Sequence, residues 1–98
     1  MSFDLVTLRG LVEKIIDEQL AKENLANMHA MFEALKPAVK NRDDAIFGYI
    51  IGWSTASIYR MVTAILNRGL TQEEINEVAG TVTRRSLEIK HKIMETFT

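Results

Sequence analysis

From Ala45 to Leu66 the chain carries one charge, Arg60, and otherwise reads as an apolar helix with no wet side. At about 100° per residue, Ile46, Phe47, Ile50, Ile51, Trp53, Ile58, Met61, Val62, Ile65 and Leu66 point in every direction around the axis. A helix of that kind is surrounded by protein or by lipid. Its length would cross a bilayer. Arg60 in mid-segment argues against that, at about 2.5–3.5 kcal/mol on insertion scales, and so do Ser54, Thr55, Ser57 and Thr63. A central helix packed on several sides, with no membrane span, is the expectation.

Its neighbours are helices too. No alternating apolar run and no Asn-Gly or Asp-Gly hairpin signal occurs anywhere in the chain. The first helical segment runs from Ser2 or Asp4 to Leu35 and stops before Pro37. The second opens at Asn41, with Asp43 and Asp44 in the favourable first turn, and closes at Asn67-Arg68-Gly69, where Gly69 suits a left-handed cap. The third opens on Thr71 and Glu74 in capping-box spacing, and Leu70 is placed to staple onto Ile75. The expected fold is an all-α, antiparallel three-helix bundle in one domain, with helices at about 3–35, 42–67 and 72–97, assembled as a homodimer.

Two features lead to the dimer. One is the second helix, apolar all round. The other is a change of face in the first segment. Leu5, Leu8, Leu11, Val12, Ile15 and Ile16 share one side, whereas Ala21, Leu25, Met28, Phe32 and Leu35 lie more than a right angle away. An unbroken helix of that length would reach about 50 Å and overhang a domain this small, whereas a kink within 17–24 would shorten it. A chain of 98 residues also buries only about 60–65% of its unfolded surface, so a shared core would help it.

Chemistry is sparse. There is no Cys, which removes disulfides, thiolate catalysis and Cys-based zinc sites. The net charge is −1, too small for a strong non-specific grip on nucleic acid or anionic lipid. The start, Met1-Ser2-Phe3-Asp4, lacks the basic and apolar parts of a signal peptide, so a cytoplasmic protein is expected. Glu88 and His91 have the spacing of a diiron ligand pair, but they sit opposite the stripe of Ile75, Val78, Ala79, Val82, Ser86, Ile89, Ile93 and Phe97. They read as a solvated face with Arg84 and Lys92, and no cofactor or metal is expected. No catalytic constellation is legible, and the chain is read as non-enzymatic.

The candidate contact residues lie on the two apolar segments. Gly48, Gly52 and Ala56 recur every fourth residue, a spacing that lets another helix approach closely, from the same chain or from a second copy. Trp53 and Arg60 are polar handles beside that row, with Tyr49 and Tyr59, and Leu25, Met28 and Phe32 complete the set from the first segment. A buried Arg60 would need a carboxylate, for which Asp17, Glu18 and Glu23 are candidates; alternatively it would centre an anion pocket or an active site. The partner expected first is the chain itself, then another helical protein.

One local pattern points elsewhere. Arg68-Gly69-Leu70-Thr71-Gln72-Glu73-Glu74-Ile75, then Val78-Ala79-Gly80 and Thr83-Arg84-Arg85, resembles the helix-turn-helix of Cro/repressor-type DNA-binding proteins over residues 68–90. The resemblance implies a turn at Gly80, with Arg84 and Arg85 opening a recognition helix. Asn76 and Ser86 depart from that pattern, and the apolar stripe keeps phase through Gly80, as a continuous helix would. A small DNA-binding regulator using residues 70–90 is therefore the alternative function.

Overall fold

The computed structural model describes residues 4–96. Ser2, Phe3 and Phe97, to which the sequence reading extends the first and last helices, lie outside them. Four helices follow one another: α1 (Leu5–Gln19), α2 (Lys22–Ala34), α3 (Arg42–Leu66) and α4 (Gln72–Thr96). No strand occurs among the described residues.

The expected long first helix is two helices. Its backbone leaves helical geometry at Ala21 (φ −58°, ψ 140°), directly after Leu20 caps α1. The physical reason is the change of apolar face. A straight helix could offer the core either Leu8, Val12 and Ile16 or Leu25 and Met28, and the break lets all five be buried together. Asn24 supports it by donating its side-chain N–H to the Glu18 carbonyl at the end of α1, which also accepts from the Ala21 N–H at 3.3 Å. The overhang that a single helix would create is thereby removed, and with it one of the two arguments for a dimer.

The other ends follow local chemistry. Asp4 Oδ1 accepts from the Val6 N–H at 2.8 Å and caps α1. Asn41 Oδ1 accepts from the Asp44 N–H at 3.0 Å and caps α3. Thr71 and Glu74 close a reciprocal box, with Thr71 N–H to Glu74 Oε1 at 2.8 Å and Glu74 N–H to Thr71 Oγ1 at 3.2 Å. At the far end of α3, Asn67 and not Gly69 takes the left-handed conformation (φ 53°, ψ 40°), which Asn tolerates better than most residues.

α1 packs on α3 and α4, α3 on α4, and α2 mainly on α3, in a body of 45 × 22 × 21 Å. The core takes Leu8, Val12 and Ile16 from α1, Leu25 and Met28 from α2, Ile46, Ile50, Ile58 and Val62 from α3, and Val78, Val82, Ile89 and Ile93 from α4. On α3 the buried residues form one row at four-residue spacing, with Ser54 at its centre. Ion pairs fasten the outside: Arg9–Glu77 (2.6 Å) and Arg85–Asp17 (2.7 Å) between α4 and α1, Lys90–Asp44 (3.1 Å) between α4 and α3, and Arg42–Glu33 (3.0 Å) between α3 and α2. No helix among the described residues is long and apolar enough to cross a membrane.

Candidate functional site

A helix apolar all round but buried along one row leaves apolar surface outside. On α3 that surface is Gly48, Tyr49, Gly52, Trp53, Ala56, Tyr59, Thr63 and Ala64, all exposed, with Arg60 as its single charge. No other helix of the chain meets the two glycines of this row, and Ala56 is exposed beside them. A Cβ built on Gly48 or on Gly52 would meet no atom within 4 Å. Packing of this row against another helix of the same chain, one of the two possibilities the spacing leaves open, does not occur.

Aromatic rings border the row. Trp53 is 46% exposed, Tyr59 37% and Tyr49 36%. Tyr49 stacks on Trp53 with centroids 6.2 Å apart, and Phe32 of α2 meets Tyr49 edge-on at 5.9 Å. Between the α1–α2 corner and this pair lies an open cleft of about 220 Å³. Gln19, Asn24 and Asn27 contribute amides, Met28 and Met31 contribute thioethers, and Tyr49 and Trp53 form the aromatic wall. No carboxylate, ammonium or guanidinium lines it. Its volume suits one large side chain, below the roughly 300–1,000 Å³ of small-molecule sites. Gln19, Asn24, Asn27 and Met31 carry no sequence signal: amides at a helix break read as ordinary solvated positions.

The candidate contact residues separate into two groups. Gly48, Gly52, Ala56 and Trp53 share the open face, and half-buried Phe32 supports it through Tyr49. Leu25 (1% exposed) and Met28 (6%) are core residues of their own chain, although Met28 reaches the floor of the cleft.

Arg60 is exposed, not buried, and it lies outside the cleft. Among the described residues it makes no ion pair. Asp17, one of its expected partners, holds Arg85 instead. The geometry thus offers no enclosed anion pocket around Arg60.

The C-terminal segment is one helix. α4 runs from Gln72 to Thr96, and Gly80 lies within it with no turn. Arg85 is not free to reach outward: its guanidinium bonds Glu88 (2.6 and 3.0 Å), Asp17 (2.7 Å) and the Glu13 carbonyl (3.3 Å). The Glu88 hydrogen bonds come first among the causes that raise its pKa. Arg84 is exposed and donates to Thr81 Oγ1 at 2.9 Å.

Glu88 is thus engaged with Arg85, and His91 pairs with Glu95 at 3.1 Å on the wet side. His29 is buried where α2 meets α4, its pKa lowered first by that burial and then by Arg42. No group of three His, Cys, Asp or Glu that could hold a metal ion occurs among the described residues. Compared with protein-family models, curated proteins and solved structures, the chain matches none.

Proposed function

We propose that this protein is a non-enzymatic helical interaction module whose contact surface is the open face of α3, extended by the cleft against α2. One observation carries the reading: the most apolar helix of the chain leaves a face of small residues and stacked aromatics uncovered by its own fold. Exposed Leu or Val residues scattered singly are ordinary. A continuous strip with one charge along five helical turns is the composition of a contact surface, in which Trp and Tyr anchor and small residues admit a partner closely. A partner helix seated on the Gly48–Gly52–Ala56 row could place one large side chain in the neighbouring cleft.

A photo-crosslinking residue at position 53, in the full chain within its native extract, tests the proposal. Position 73, exposed on α4, serves as control. Discrete protein adducts specific to position 53 are expected. Equal labelling at both positions removes the reading.

A further inference from the structure

The open face states a good deal about what fits it. Tyr49, Trp53 and Tyr59, at their observed exposure, offer roughly 180–300 Å² between them, given about 150–250 Å² for a whole aromatic side chain. Stable interfaces begin at about 1,200 Å² in total, about 600 Å² from each copy, so the rings would supply about a third to a half of that minimum. Exposed Met31, Arg60 and the small residues between the rings would supply the rest, which places the pair at the lower edge of stable interfaces.

The pattern along the helix is self-complementary about Gly52, as an isologous contact requires. In an antiparallel pair centred there, Gly52 opposes Gly52, Gly48 opposes Ala56, and Tyr59 falls opposite Ala45. Small meets small along the crossing, and a ring meets a methyl beyond it. Charge selects the same direction. Arg60 stands eight residues from Gly52, so the two copies would lie about 24 Å apart in an antiparallel pair. That exceeds the screening length of about 8 Å, whereas a parallel pair would bring the two cations to one level of the seam.

We infer that the partner on this face is a second copy of the chain, with α3 packed antiparallel on α3 about Gly52. The inference rests on the interaction-module reading and adds to it the identity and direction of the partner. An interface of this size supports a dimer that exchanges with monomer on dilution and is not permanent.

The chain has no Cys, so single substitutions report cleanly. Gly52→Cys alone is expected to oxidise to a covalent dimer, because a disulfide needs Cα atoms about 4.4–6.8 Å apart. Gly48→Cys and Ala56→Cys should cross-link when mixed and form no covalent dimer separately. In sedimentation equilibrium the mean mass of the unmodified chain should rise from 11.1 kDa towards twice that value between low-micromolar and submillimolar concentration, and Trp53→Glu should hold it at the lower value. Circular dichroism checks that each variant is folded.

A constant monomer mass together with no Gly52→Cys dimer overturns the inference, as does Gly48→Cys cross-linking to itself. A monomer whose position-53 adduct is a different protein overturns the second copy and leaves the docking surface standing. No specific adduct and no dimer remove both.

Discussion

Glu74 is 2% exposed and still ionised, because three donors hold its carboxylate. Arg68 gives two hydrogen bonds, at 2.8 and 3.1 Å, and the Thr71 N–H a third at 2.8 Å. Arg68 first, then Thr71, draws the pKa down from 4.5 to about 2. A carboxylate with a lowered folded pKa stabilises the fold above its unfolded value, and that contribution is lost as pH falls from about 4.5 through about 2. The full shift corresponds to on the order of 3 kcal/mol. Urea unfolding at neutral pH and near pH 3 should show this acid loss in the parent chain. In Glu74→Gln the protein should be weaker at neutral pH and the dependence below pH 4.5 shallower. An unchanged acid limb would mean that Arg68 contributes little.

Ser54 makes the opposite case. It is 1% exposed at the centre of the buried row of α3, and its hydroxyl oxygen has no hydrogen-bond partner among the described residues. An unpaired buried hydroxyl costs about 1–3 kcal/mol, and removing it leaves no other group orphaned. Ser54→Ala should therefore raise stability by about 1 kcal/mol in the same unfolding measurement, helped by the better helix propensity of Ala. A loss would show that the hydroxyl is satisfied in solution.

At the scale of elements, two helix starts were legible in the sequence because they are local chemistry: Asn41 and the Thr71–Glu74 box each bond within three residues. The first start, by contrast, was left between Ser2 and Asp4, and the left-handed end of α3 falls on Asn67, not on Gly69. The break at Ala21 was not legible as a definite event. Neither Gly nor Pro marks it, and the backbone turns there so that two apolar faces can reach one core. Nor did the pattern reveal which side of α3 stays open, since a helix apolar all round carries no phase; only tertiary packing chose the row from Ile46 to Val62. The cleft amides were invisible for the same reason.

Gly80 shows how an element tests itself. It lies inside α4, and a Cβ there would meet only the end of the flexible Arg84 side chain, at 3.4 Å. Gly80→Ala should then raise thermal stability by up to about 1 kcal/mol. A turn at this position would reverse the sign, because Ala is strained in geometries that only Gly adopts freely.

At the scale of the whole molecule, the question is whether the fold depends on its partner. Each chain completes a core from all four helices, and the surface it leaves open is a face, not a missing layer. Association should thus be separable from folding. Gly52→Leu tests this directly. In the single chain the new side chain enters open space and replaces a residue that weakens helices by about 1 kcal/mol relative to Ala, so monomer stability should hold or rise slightly. On the seam the same side chain would keep the two backbones from approaching. The expected outcome is a folded protein with a sharp cooperative melt that stays monomeric at concentrations where the parent self-associates. Loss of the melt in Gly52→Leu, with the parent's melting temperature falling steeply on dilution, would instead make the open face part of an obligate shared core, because stability would then follow protomer concentration.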